Sequence, residues 1–103
     1  MAEKIMKFPY QTCTTWLREK AAELTTLGFS VEVKENAAPM QSLLLKIASS
    51  KTEAELVVWE SGATSMIVVN LERNHYDLDR HDMVLGGNQY ERDLEVFFNL
   101  LKK

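Results

Sequence analysis

The hydrophobic period of this chain changes twice along its length, and this restricts the possible folds more than any other feature. Between about Tyr10 and Leu27, apolar residues recur every three or four positions, which is typical of a helix with one buried face. From Phe29 to Glu72 the period is two, as in half-buried strands separated by short turns. A helical period returns after Gly87. The sequence therefore predicts a helix, then strands, then a second helix.

The central region contains four clear strand patterns. The segment that starts at Phe29 alternates apolar and polar residues, and Pro39 ends it because proline has no amide hydrogen for a ladder. The polar stretch 74–82 favours a loop, with a short fifth strand after it. Short connections favour antiparallel hairpins over crossovers. The later strands are predicted at 42–49, 54–60, 64–72 and 83–85.

The ends of the helices also have recognisable signals. Thr12 or Thr14 is expected to cap the first helix, and Gly28 stands where a left-handed residue commonly ends one. Asn88, three residues before Glu91, resembles an N-terminal capping box for the second helix. Within the strand region, Gly62 is expected at positive φ in a tight turn.

These elements predict an α+β fold in one domain, residues 1–103: an antiparallel four- to five-stranded meander with the N- and C-terminal helices packed on one face. Two helices cover only one side of such a sheet. The third and fourth strands are apolar on both faces, so Val57, Trp59, Ile67 or Val69 should lie on the uncovered side. Such a patch usually marks a partner or a dimer interface. The alternative is that sheet twist and the 74–82 loop cover it.

Composition narrows the class of partner. The 103 residues include 12 Lys+Arg and 15 Asp+Glu, and a net charge of −3 argues against a nucleic-acid or anionic-membrane binder. Apolar runs are too short to cross a membrane. Charged residues interrupt the first ten positions, so no secretory signal is expected, and the single Cys13 agrees with a reducing cytoplasm. Cys13 lies on the apolar face of the first helix and is predicted to be a core residue.

One cluster suggests chemistry. His75 and His81 alternate with Asp77 and Asp79, and in an extended chain these four side chains would share a face. The two histidines would then lie about 20 Å apart, too far to bind one metal ion. A turn would bring them together as a metal or acid–base site, whereas the alternative is a solvated turn. No glycine-rich phosphate loop or cysteine pair occurs, and we expect no cofactor.

A family resemblance begins at Trp59, where a predicted strand ends in Trp-Glu-Ser-Gly. A second apolar strand, a polar stretch containing His81 and a C-terminal amphipathic helix follow. Over residues 54–101 this order resembles small bacterial immunity proteins of polymorphic-toxin and contact-dependent inhibition systems, particularly the TriTu type. The resemblance implies a non-enzymatic cytoplasmic protein that binds and neutralises a cognate toxin domain.

The expected partner is thus a protein, bound by a monomer or weak homodimer. Aromatic anchors and carboxylates suit such an interface, although Trp59 is also interpretable as a core residue. Two alternatives remain: a small acidic secretion chaperone that binds an effector, and a small metal-dependent enzyme centred on His75 and His81. The residues expected to contact the partner are Trp59, Glu60, Glu72, Tyr76, Asp77, Asp79, His81 and Asp82.

Overall fold

The molecule is a five-stranded antiparallel meander with a helix at each end of the chain. The computed structural model describes residues 8–37, 39–86 and 89–102. Neighbouring strands in the chain are also neighbours in the sheet, in the order β1-β2-β3-β4-β5. The predicted α+β meander is therefore confirmed. The elements are α1 (Tyr10–Thr26), β1 (Ser30–Asn36), β2 (Ser42–Ala48), β3 (Thr52–Trp59), β4 (Ala63–Asn70), β5 (His75–Val84) and α2 (Tyr90–Leu101).

Both helices pack on one face of the sheet and form one hydrophobic core with it. The inward residues of β2, β3 and β4 alternate with the outward ones, as the period of two predicts. Trp16 of α1 contacts Tyr90 and Phe98 of α2 edge to face, with ring centroids 5.8 and 5.7 Å apart. The aromatic contacts join the two helices above the sheet. The largest fully buried side chains include Leu17, Leu24, Leu43, Leu45, Leu56, Met66, Leu94 and Phe97.

Helix α1 begins at Tyr10, where the helical period begins, but its cap is not the predicted threonine. Its N-cap is Pro9, whose carbonyl accepts a hydrogen bond from the Cys13 amide at 2.9 Å. Thr12 and Thr14 therefore do not cap it, and the Thr14 hydroxyl donates to the Gln11 carbonyl instead. Proline suits this position because its fixed φ is close to the helical value and its missing amide hydrogen is not needed there.

The C-terminal end of α1 matches the prediction. Gly28 has φ +101°, its amide donates to the Thr25 carbonyl, and the Phe29 amide donates to the Leu24 carbonyl, both at 3.0 Å. This pair of bonds is a Schellman motif, which turns the chain directly into β1. At the start of α2, Gln89 is the N-cap and makes no side-chain capping bond. Asn88, the predicted cap, lies outside the described residues.

Strand β5 is the main difference from the predicted fold. The stretch 74–82 is not a loop, because β5 pairs with β4 from His75 to Val84. Only Leu78 and Met83 of its ten residues are even half-buried. An edge strand with one neighbour and one covered face needs few apolar residues. The polar sequence of β5 therefore lacks the apolar alternation that predicts a strand. Residues 74–82 therefore do not form the loop that was considered as a cover for the uncovered side of the sheet. Most of them belong to the fifth strand.

Candidate protein-binding face

The face of the sheet turned away from both helices, called here the open face, is defined by the pairing register. Directly paired residues in antiparallel strands point to the same side, so each side chain can be assigned to a face from its partner. The open face consists of Ser30, Glu32, Lys34, Asn36, Ser42, Leu44, Lys46, Ala48, Glu53, Glu55, Val57, Trp59, Ala63, Ser65, Ile67, Val69, Tyr76, Asp79, His81 and Val84.

Apolar side chains of β3, β4 and β5 contribute much of the open face. Val57, Trp59, Ile67 and Val69 all belong to it and are half-buried, as the sequence predicted. Tyr76 on β5 pairs with Val69 and is 60% exposed. A sheet face that contacts only water seldom has valine, isoleucine and two aromatic residues together.

Two bulges in β5 decide which of its side chains reach the open face. Val68 pairs with Leu78 and Val69 with Tyr76, so Asp77 is an extra residue between them. The bulge places both Tyr76 and Asp79 on the open face. Asp77 instead contacts the Asn70 amide at 3.4 Å. The expectation that His75, Asp77, Asp79 and His81 share a face is therefore wrong, because uninterrupted alternation does not hold in this strand.

The second bulge creates a polar chain on the open face. His81 and Asp82 lie together opposite Ser65. His81 Nδ1 is 3.0 Å from Ser65 Oγ, and its Nε2 is 2.5 Å from Asp79 Oδ1. A neutral imidazole protonated on Nε2 satisfies both contacts, accepting from the serine hydroxyl and donating to the carboxylate. These contacts link Ser65, His81 and Asp79 into a hydrogen-bond chain on the open face.

This Ser–His–Asp order has the composition of a hydrolase triad but lacks its surroundings. The backbone N–H groups of β4 point along the sheet toward its neighbouring strands, so they do not form an oxyanion hole at Ser65 Oγ. The Asp79 side chain is 47% exposed, whereas a triad aspartate is buried beside its histidine. The geometry favours a surface hydrogen-bond chain.

Charge divides the open face into two halves. On β1 and β2 it has Glu32, Lys34 and Lys46, and the first two form an ion pair at 3.5 Å. On β3, β4 and β5 the charged open-face residues are Glu53, Glu55 and Asp79, with the ionisable His81 beside Asp79. The one Lys or Arg in these three strands is Arg80, which pairs with the buried Met66 and so belongs to the helix side. The half containing the apolar side chains of β3, β4 and β5 is therefore acidic.

The remaining predicted contact residues lie elsewhere. Glu60 is in the β3–β4 turn. Its carboxylate accepts a hydrogen bond of 2.6 Å from the backbone N–H of Gln41, which connects the β1–β2 loop to that turn. Glu72 and Asp77 border a small depression near Lys51, at the opposite end of the strands. Asp82 lies in the second bulge of β5. The structure thus brings together Trp59, Tyr76, Asp79 and His81 on one face, but not the other four.

Among the open-face residues that were not predicted as contacts are Glu53 and Glu55. Glu53 and Glu55 pair with Val69 and Ile67, so the acidic and apolar side chains are direct cross-strand neighbours. The signal that identifies them is the alternation of β3 and β4 combined with the short hairpin between them. Given that hairpin, residues 53, 55, 67 and 69 must share a face.

The family of the chain follows from comparison with known proteins. A family model described as Immunity protein TriTu matches residues 11–100. The chain belongs to the TriTu immunity protein family. The match includes α1, β1 and β2, so it extends well beyond the resemblance recognised at residues 54–101. Searches of curated proteins and of solved structures found no match.

The other ionisable groups of this TriTu protein give little sign of a reactive centre. Within the described ranges, no three His, Cys, Asp or Glu residues are grouped so that they could hold a metal ion. Because β5 is extended, His75 and His81 are about 20 Å apart along it. Cys13 is completely buried, as predicted, and burial together with the nearby Glu91 raises the pKa of its thiol to about 12. Such a thiol is a poor nucleophile.

Membrane crossing by a helix is not indicated for this TriTu protein. Neither helix in the described part of the chain is both long enough and apolar enough to span a bilayer.

Proposed function

We propose that this TriTu immunity protein binds a cognate toxin domain through its open face and neutralises it by covering the active site or another essential surface. The supporting observation is the apolar surface of the open face, which includes Trp59 at the end of β3 and Tyr76 near the start of β5, in a chain whose family consists of immunity proteins. Aromatic anchors within a polar rim are typical of tight protein interfaces. The action is binding rather than turnover, and the protein works in the cytoplasm as a monomer or weak homodimer.

The sheet is suited to this role because it is rigid where the contact is made. Each open-face side chain on β2, β3 and β4 projects from a strand whose other face is packed in the core. A surface already in its binding conformation loses little conformational entropy on association. Trp59, Tyr76, Asp79 and His81 are the proposed central contacts. Glu60, Glu72, Asp77 and Asp82 are proposed as peripheral contacts, since Glu60 and Glu72 lie in turns and Asp77 and Asp82 are not on the open face.

Growth protection tests the proposal with two variants matched for exposure. A candidate toxin domain, sought among the genes that neighbour this one, is expressed with the wild-type chain, with Tyr76→Ala or with Leu27→Ala. Tyr76 and Leu27 are both 60% exposed, but Leu27 lies at the C-terminal end of α1. We expect Tyr76→Ala to weaken toxin binding about tenfold or more and to reduce protection, while Leu27→Ala leaves both unchanged.

Thermal unfolding of both variants provides the control for folding, since exposed positions should change the midpoint little. The proposal is wrong if the wild-type chain neither binds nor protects. It is also wrong if Tyr76→Ala and Leu27→Ala protect equally well.

A further inference from the structure

A depression on the open face spans strands β1 to β4, at the end of the strands where Val69 pairs with Tyr76. Its floor includes Ala48, Ile67 and Val69, and Glu53 and Glu55 stand at its edge. The volume is about 410 Å³. Since a water molecule occupies roughly 30 Å³ of liquid, the space accepts a long side chain.

The two carboxylates at this depression are available to a partner. Within the described residues, neither Glu53 nor Glu55 has a lysine, arginine or histidine nitrogen within 4.0 Å. Both residues are exposed. Lys46 also borders the depression and pairs in register with Glu55, so the site has two negative charges and one positive. A net negative rim over an apolar floor complements an amphipathic cation.

We propose that this depression receives a lysine or arginine side chain of the bound toxin domain. The methylene stem lies on Ile67 and Val69, and the cationic head reaches Glu53 and Glu55. The inference rests on the proposed function and makes it more specific, because it requires the contacted toxin surface to be basic. It also gives the two halves of the open face different roles. The β3–β5 half contacts the cation, whereas the Glu32–Lys34 pair on β1 contributes little to binding.

Neutral variants of equal size test this in the toxin complex. The double variant Glu53→Gln/Glu55→Gln should bind the toxin domain about tenfold or more weakly, and binding by the wild type should fall with added salt more than binding by the variant. Glu32→Gln, which removes one charge from the same face, should change binding less than about twofold. Lys46→Gln should tighten binding, because it removes a cation that competes for Glu55. Equal binding by the double variant and Glu32→Gln overturns the inference.

A second measurement separates this inference from the proposed function. Labelled protein is titrated at millimolar concentration with the peptide acetyl-Ala-Arg-Ala-amide, and with the same peptide containing citrulline, the neutral isostere of arginine. We expect the arginine peptide to shift the amide resonances of Glu53, Glu55, Ile67 and Val69, and the citrulline peptide to shift them far less. If the toxin domain does not bind but the arginine-specific shifts appear, only the proposed function fails. Equal shifts from both peptides, or none near these residues, overturn the inference.

Discussion

At the scale of single residues, Cys13 shows how burial determines chemistry in this protein. The residue lies on the buried face of α1, and Glu91 of α2 is close enough to affect it. Removal of the thiol from water and the nearby carboxylate both disfavour the thiolate, so the pKa is raised from 9.0 to about 12. Cys13 is therefore a small core residue, as its place on the apolar face of the first helix predicted.

Stability should consequently fall at high pH. Above its ordinary pKa of 9.0, Cys13 loses its proton in the unfolded chain but keeps it in the native chain up to about pH 12. The unfolded state then binds fewer protons, so the free energy of unfolding decreases by up to about 1.4 kcal/mol per pH unit in this window. Well below pH 9 the thiol is neutral in both states and contributes no slope. Urea denaturation at a series of pH values measures this.

Cys13→Ala is the control for that measurement. The variant is destabilised at every pH by its lost packing, but it should lack the part of the slope that comes from the thiol. Burial is the main cause that raises the pKa values of Tyr10 and Tyr90, and Cys13 is a lesser cause for both, so the variant also changes their part of the slope slightly. Identical pH slopes for Cys13→Ala and the wild type between pH 9 and about pH 10 would contradict the assignment.

At the scale of elements, two glycines set the junctions on which the sheet depends. Gly28 joins α1 to β1 and Gly62 joins β3 to β4, with φ +101° and +95°. Both were predicted from turn chemistry, since left-handed backbone is unfavourable for residues with a Cβ. Their surroundings differ. A Cβ at Gly28 would have no heavy atom within 4 Å, whereas at Gly62 it would lie 3.3 Å from the Leu85 carbonyl oxygen and from Phe8 Cγ.

Alanine at these two positions should therefore have unequal effects. Gly28→Ala incurs only backbone strain, about 1–2 kcal/mol. Gly62→Ala incurs similar strain and also a tight contact in the β3–β4 turn, so its loss of unfolding free energy should be larger. Chemical denaturation of both variants gives the difference directly. A smaller loss for Gly62→Ala than for Gly28→Ala would show that the turn relaxes around the new methyl group.

At the scale of the whole molecule, the two faces of the sheet have separate roles. The helix side forms the core and maintains the fold, and the open face retains apolar side chains that the fold does not bury. Adjacent residues of β3 illustrate the division, because Val58 is 0% exposed in the core while Val57 is half-buried on the open face. The same residue type at consecutive positions thus serves stability in one case and, under the proposed function, recognition in the other.

Valine-to-alanine changes at these positions should separate the two roles. Val58→Ala should lower the free energy of unfolding by about 2 kcal/mol, from lost burial and the cavity left behind. Val57→Ala should lower it by less than about 1 kcal/mol, because it is already partly in water. Toxin binding by folded protein should show the reverse order. If Val57→Ala binds as well as Val58→Ala at a temperature where both are folded, the open face is not the contact surface.

Local features of the sequence determined much of this protein. Both helices, the four strands β1–β4, their antiparallel order and the turns at Gly28 and Gly62 follow from hydrophobic period and glycine chemistry, which act over a few residues. The Trp-Glu-Ser-Gly segment pointed to the family, and the match to residues 11–100 confirmed it.

Tertiary structure decided the rest. Strand β5 forms because β4 offers it a partner, although its own residues are polar. Its two bulges depend on that pairing, and they alone put Tyr76, Asp79 and His81 on the open face while turning Asp77 away. The meeting of Glu53 and Glu55 with Ile67 and Val69, by contrast, follows from strand alternation across the short β3–β4 hairpin. The bulges are set by how β5 pairs with β4, so no local pattern in the chain specifies them.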